Sequence, residues 1–433
     1  MTNPTAAVRD RVLSLPSGEL PAYVYDLAAL REHAANVRAA LPARVELYYA
    51  AKANPEPQIL AALGPYVDGY EVASGGELVH VAKAVPGRPL AFGGPGKTPA
   101  EITTALERGV ERFHVESEYE LHMLAELARQ VAPDNRVAVL PRFNLPVASG
   151  SLAASSLAMG GRPAPFGIDP SEADTVVRLL TDGTYPHLEL RGVHAHLASG
   201  LRAPEQLAVA ESIVRWAVGL AERHDGMRLS EVNVGGGMTV DYAAPEERFD
   251  WVAYGEGLAE LTARHPDLTL RIEPGRALTA YCGWYATEVL DVKQSQREAF
   301  AVVRGGTHHM RTPATKGHDQ PCTTLAVEDW PHPWPRPVAR RELVTLTGQL
   351  CTPKDVLARN VRAPGLRAGD RVAFALAGAY AWNISHHDFL MHPRPGFHFL
   401  DGADTESVGG EEAPGQRRTA AFSPAGRAPR AGA

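Results

Sequence analysis

The chain has 433 residues, 45% hydrophobic and 21% charged, and a formal net charge of -7. That length accommodates two domains with their own cores, and an acidic balance without a basic stripe excludes nucleic acid as the main partner in favour of a small molecule. No run of about 18 apolar residues occurs and the opening MTNPTAAVRDRV lacks a leader's apolar stretch, so no membrane association and a cytoplasmic location are expected.

In chain order, residues 1–40 hold a short strand candidate, AYVYD, and an amphipathic helix, LAALREHAANVRAAL. This segment is expected to contribute to a β domain. Residues 41–280 then carry eight apolar, β-branched-rich runs: VELYYA, VDGYEVA, PLAFGG, RFHVES, RVAVLPRF, LELRGVHAH, EVNVGGG and LTLRIEPG. Segments such as GGELVHVAKAV and ESEYELHMLAELARQV between them have 3.6-residue apolar spacing and acidic first turns, so they read as helices. Strands apolar on successive residues suit a parallel sheet covered by helices, and eight such units predict an α/β fold, a (β/α)8 barrel. Residues 281–400 change to strand-like runs (WYATEVLDV, AFAVVRGG, ELVTLTGQL, RVAFALAGAY) with turn signals between, predicting a mainly β domain. The tail, 401–433, is rich in Gly, Ala, Pro and Arg with little to bury, and is expected to be disordered.

Functional residues of such barrels collect where strands end. The strand ends predicted here bring Lys52, Glu71, Ser74, Arg142, His194, His196, Ser199, the triplet Gly235, Gly236 and Gly237, and Glu273 with Gly275 and Arg276 to one rim. A lysine in apolar, aromatic surroundings suits covalent capture of an aldehyde. Glycines beside a cation suit a phosphate held by backbone N–H groups. The bland alternatives are a solvated lysine, an ordinary turn, and a glutamate ion-paired with Arg276.

The stretches YYAAKANP, EVASGGEL, VHAHLAS, VNVGGG, IEPGR, GQLCTPKD and GAY, in this order over roughly residues 20 to 400, resemble the motifs of the fold-type III decarboxylases dependent on pyridoxal 5'-phosphate, the diaminopimelate and ornithine decarboxylases among them. The resemblance implies an alanine racemase-like barrel, with Lys52 holding the cofactor and His196 stacking on its ring. Ser199, Gly235, Gly236, Gly237, Gly275, Arg276 and Tyr380 would lie around its phosphate. Arg142 and Glu71 match positions near the cofactor hydroxyl, with a buried structural ion pair as the alternative. Glu273 would face the ring nitrogen, where the related racemases place an arginine, so decarboxylation is favoured over racemisation. Cys351 resembles the cysteine that relatives insert across a dimer interface to protonate the product, which implies a homodimer with shared active sites. One departure is Ala198 before Ser199, where glycine is usual.

The resemblance also bears on the substrate. In the family a carboxylate that recognises a distal amine follows the cysteine, whereas this chain has Thr352, although Asp355 keeps the later acidic position. The stretch GGTHHMRTPATKGHD offers His308, His309, Arg311 and Lys316 to anionic oxygens. Arg311, His309 and Asp355 are the expected substrate contacts. That stretch and NISHHDFLMHPRP look like the branch that decarboxylates citryl-amino-acid intermediates in siderophore assembly of the staphyloferrin B type. The alternatives are diaminopimelate or another basic amino acid as substrate, a racemase, or a catalytically silent cofactor-binding homologue. No metal is expected, because neighbouring histidines of an extended chain face opposite sides and no ligand pattern accompanies them. The three cysteines (Cys282, Cys322, Cys351) show no C-x-x-C spacing, and GGPGKT at Gly93–Thr98 fails the spacing of a phosphate loop.

Overall fold

The structure, a computed structural model, describes residues 3–146, 160, 163–402 and 404–406. Helix α1 (Ala6–Ser14) leads into strand β1 (Ala22–Asp26), and the Asp26 side chain accepts from Ala29 N at 2.9 Å to start helix α2 (Leu27–Ala40). Then follow β2 (Val45–Ala50), α3 (Pro57–Leu63), β3 (Gly69–Val72), α4 (Gly75–Ala84), β4 (Leu90–Phe92), α5 (Pro99–Glu107), β5 (Arg112–Val115), α6 (Glu118–Val131) and β6 (Val137–Pro141). The alternation continues with α7 (Ala173–Thr181), β7 (Leu188–Leu190), β8 (Gly192–His194), α8 (Ala203–Glu222), β9 (Glu231–Asn233), α9 (Trp251–Arg264), β10 (Thr269–Ile272) and the single turn α10 (Arg276–Thr279). Polar residues set the helix starts: Ser74 and Ser117 accept from Glu77 N and Glu120 N, and Thr98 with Glu101 forms a capping box.

These strands make a parallel sheet of nine in the order β7-β6-β5-β4-β3-β2-β10-β9-β8, almost closed into a barrel. The sixth sequence run has become two strands, because LELRGVHAH changes partner in its middle. Leu188–Leu190 pairs with β6, while Gly192–His194 pairs with β9. The change occurs at Arg191, whose carbonyl accepts from both Ser230 N and Glu231 N. Gly192 follows, and a Cβ there would lie 1.7 Å from the Glu231 carbonyl oxygen, so the seam closes only on glycine. A lone bridge between Arg142 and His194 completes the circuit.

The second sheet also has nine strands: β11 (Gly283–Ser295), β12 (Glu298–Val303), β13 (Cys322–Leu325), β14 (Leu343–Thr347), β15 (Val356–Arg362), β16 (Arg371–Phe374), β17 (Gly396–Asp401) and β18 (Asp404–Glu406), with β1 from the amino-terminal segment. β1 lies between β11, antiparallel, and β17, parallel. Helix α11 (Thr312–Lys316) sits in a connection of this part. Two expectations are corrected. Residues 1–40 divide at Asp26, with β1 in the second sheet but α2 packed on α3 and α9 in the barrel's helical ring. The start of the segment expected to be disordered is structured, since Asp401 ends β17 and Asp404–Glu406 pairs with it; residues 407–433 lie outside the described residues. Among the described residues no helix is long and apolar enough to cross a membrane.

Candidate cofactor site

A cavity of about 760 Å³ opens at the carboxyl ends of the barrel strands. It is lined by Lys52, Glu71, Arg142, His194, His196, Ser199, Gly236, Gly237, Glu273, Gly275, Arg276 and Tyr380, so residues far apart in sequence converge on one chamber. Ser74 is not among its lining residues; its hydroxyl caps α4.

Lys52 sits on the single 3-10 turn that follows β2. Its Nζ donates to Glu71 Oε2 at 2.9 Å, and 49% of the side chain remains accessible from the cavity, so a ligand carbonyl can reach the amine. Burial pulls the amine's pKa down, but the Glu71 charge, with Tyr380 and Glu273 behind it, outweighs that and holds it above its ordinary value. The resting lysine is therefore an ammonium ion paired with Glu71.

Glu273 closes the opposite part of the chamber. Its carboxyl is pushed up by burial and by the charge of Glu71, against a 2.6 Å hydrogen bond donated by Asn233 Nδ2 to Oε1. Arg142 does not meet Glu71; its Nη1 donates to Glu116 Oε1 at 2.8 Å, with the guanidinium over Phe166. Glu116 also accepts from Gly94 N and Gly167 N, so this pair ties three loops together.

His196 offers its ring to the cavity. Nδ1 accepts from Gly236 N at 3.1 Å, which fixes the proton on Nε2. Burial, then Arg142 and Lys52, lower the pKa of this imidazole to about 3, so it stays neutral.

The glycines form a tight corner. A Cβ on Gly236 would lie 2.3 Å from the Glu273 carbonyl oxygen, and one on Gly237, where φ is +110°, 2.2 Å from that of Ala198. The amides of Gly235 and Gly236 are already committed to Asn233 Oδ1 and His196 Nδ1. Gly237, Gly275 and Arg276 are the glycine-corner groups left to present N–H to an anion. The Arg276 guanidinium donates to Tyr242 OH at 2.7 Å and lies over the Tyr380 ring at 4.8 Å. Tyr380 itself has φ +49° and is anchored by its own N–H to the Ala53 carbonyl.

An electrophilic aldehyde with a phosphate and a ring nitrogen fits these groups. One amine is accessible, one buried carboxylate has no Lys or Arg ion-paired with it among the described residues, and side-chain-free backbone adjoins a cation.

The expected substrate contacts are placed elsewhere. Asp355 is buried and accepts from Thr307 N, Thr307 Oγ1 and Leu350 N, so it braces the loop that carries Cys351. His309 is buried with Nδ1 at 3.1 Å from Tyr285 OH, and Arg311 faces solvent with Nε on Thr315. None of the three lines the chamber, and neither does Cys351, which is exposed. The GGTHHMRTPATKGHD stretch enters instead through Thr312, Lys316 and His318, beside the loop 238–243. Of these only Lys316 was singled out from sequence. Tyr242, five residues past the glycine triplet, was missed, though a loop following a phosphate-type turn at a barrel rim was signal enough. His114, Asn233 and Phe166 were also missed, because they read as strand interior or plain loop.

Comparison with known proteins gives a consistent picture. The family description "pyridoxal-dependent decarboxylase, pyridoxal binding domain" matches residues 27–280. A Staphylococcus aureus decarboxylase of 2-((L-alanin-3-ylcarbamoyl)methyl)-2-hydroxybutanedioate is 38% identical over 381 residues, covering 87% of this chain and 93% of that one. A Niallia circulans decarboxylase of L-glutamyl acyl-carrier protein is 32% identical, covering 87% and 88%. Among solved structures, a point mutant of diaminopimelate decarboxylase from Helicobacter pylori complexed with L-lysine superposes with a TM-score of 0.80 at 24% identity, covering 94% of this chain and 97% of that one.

Proposed function

The chain belongs to the pyridoxal-dependent decarboxylases, and from that premise we propose that it removes the α-carboxylate of an amino acid whose side chain ends in a citrate-derived polycarboxylate. Pyridoxal phosphate is the cofactor; when bound, it captures the substrate amine and draws electrons from the α-carbon as carbon dioxide leaves. Lys52 would hold it, Gly237, Gly275 and Arg276 its phosphate, His196 one ring face and Glu273 the ring nitrogen. Glu71 would hold the Lys52 amine in place beside the cofactor, as it holds Nζ at 2.9 Å here. Arg276, fixed by Tyr242, resists displacement of the phosphate by substrate carboxylates.

The observation that carries the substrate reading is the wall formed by loop 238–243 and α11. Among the described residues Lys316 stands there without an ion pair, and His318 donates from Nε2 to Gln320 Oε1 at 3.1 Å, Gln320 being oriented by its own donation to the Ala375 carbonyl. The carboxylate on this wall, Asp241, accepts from Ala243 N and Ala244 N. An unpaired ammonium attracts distal carboxylates, and a carboxylate already bonded to two amides is a poor partner for a distal amine. The Staphylococcus aureus relative acts on a substrate of this shape: a citrate skeleton amide-linked to an alanine side chain. The proposed assembly is a homodimer in which the partner's Cys351 reaches the cavity and delivers the proton that replaces the carboxylate. Supporting this, Cys351 is exposed and outside its own chain's chamber.

The test is carbon dioxide release by the cofactor-loaded enzyme from citryl-diaminopropionate, diaminopimelate, ornithine and lysine. Turnover of the citryl conjugate with a kcat/KM at least about tenfold above the others is expected. Preference for diaminopimelate overturns the substrate reading, and racemised product without carbon dioxide overturns the reaction.

A further inference from the structure

Behind Glu273, three polar side chains fill the barrel interior without a charge among them. Asn233 is fully buried, and its Oδ1 accepts from Gly235 N at 2.9 Å, which fixes the orientation of the amide. Its Nδ2 therefore points to Glu273 Oε1 at 2.6 Å and to His114 Nε2 at 3.3 Å. The His114 Nε2 that receives this N–H must be unprotonated, so His114 carries its proton on Nδ1. On the other carboxylate oxygen, His194 Nε2 lies 3.6 Å from Glu273 Oε2, and the two imidazoles stack with centroids 4.2 Å apart. Among the described residues, His114 Nδ1 and both His194 nitrogens have no hydrogen-bond partner. Buried polar atoms in that state are rare.

We propose that Asn233, His114 and His194 are positioning residues that surround the Glu273 carboxylate with neutral groups, Asn233 donating to it, His114 accepting from Asn233 and His194 packing beside Oε2, leaving its charge uncommitted for the ring nitrogen of the cofactor. The inference rests on the placement of Glu273 proposed above and deepens it. Among the described residues the surrounding charges are engaged elsewhere, Arg142 with Glu116. Lys52 and Glu71 face Glu273 across the cavity but pair with each other. Arg271 behind it pairs with Glu46 and lies over the Tyr48 ring. His196 gives its Nδ1 to Gly236. Burial keeps both floor imidazoles far below their ordinary pKa, so they are neutral neighbours and not counter-ions. A permanent cation in their place would hold the Glu273 charge and weaken its pull on a ring proton. His114, His194 and Glu273 also bring ligand-type atoms within 4.8 Å of one another. The amide N–H group of Asn233, aimed at both Glu273 and His114, would repel a cation there.

The experiment uses the cofactor-loaded enzyme and follows the absorption of bound cofactor against pH, together with cofactor affinity and urea stability. Removing a donor or a polar neighbour from a buried carboxylate raises its proton affinity, so Asn233→Leu and His194→Phe should raise the pH at which the Glu273–ring pair loses its proton by about one unit, a tenfold change. His194→Gln, which keeps an N–H near Nε2, should return the midpoint toward wild type; His194→Asn, too short to reach, is the second variant if phenylalanine blocks folding. An unchanged midpoint in Glu273→Gln overturns the placement of the ring, and this inference with it. A shift in Glu273→Gln but none in Asn233→Leu or His194→Phe, with only stability lowered, overturns the inference alone. Stoichiometric metal in the purified enzyme also overturns it.

Discussion

Lys52, Glu273 and His196 were readable because each stands at the end of an apolar run, where chain periodicity alone predicts a rim position. What sequence could not supply was partnership. Arg142 could have met Glu71, but Glu116, on the next strand end, intervenes; Asp355 looked like a free acid until its three donors were seen. Lys316 is the residue on which the substrate reading turns. Lys316→Ala should raise KM for the citryl conjugate about tenfold with kcat little changed, since an exposed charge-assisted contact is worth at the low end of its range. Steady-state kinetics on that substrate check it; a fall in kcat at constant KM would contradict it.

Among the elements, the helices and most strands followed from period and capping, while the seam at Arg191–Gly192 did not. An unbroken apolar run carries no mark of a change in partner, apart from one glycine. Gly192→Ala should cost about 3 kcal/mol in urea unfolding, as overpacking against backbone cannot be relieved by a rotamer change. The turn that carries His308 should be sensitive to acid. Burial, with His392, His386 and His387 nearby, lowers the pKa of His308 to about 4, and neither ring nitrogen has a partner. Its unfolded value is near 6.5, so the stability it contributes is complete above that pH and is lost as pH falls toward 4. The urea midpoint should drop between pH 7 and pH 5, and His308→Phe should reduce that drop. A drop of unchanged size in the variant would place the acid sensitivity elsewhere.

For the molecule as a whole, the barrel was legible because parallel βα units repeat. The second sheet was only partly so, because its strands β13, β15 and β17 are short or polar and β1 joins it from the other end of the chain. The active site proposed to be shared between two chains predicts a result that single-chain contacts cannot give. Lys52→Ala and Cys351→Ala enzymes, each nearly inactive, should regain about a quarter of wild-type activity when co-expressed, since random two-fold pairing leaves one intact cavity in half of the dimers. No recovery on mixing would mean that each chain's cavity is complete. The most direct measurement concerns the lysine itself: reductive trapping of the cofactor with borohydride, followed by mass mapping. The pyridoxyl group should lie on Lys52, and the label found on Lys316, the other lysine of the cavity, would contradict the account.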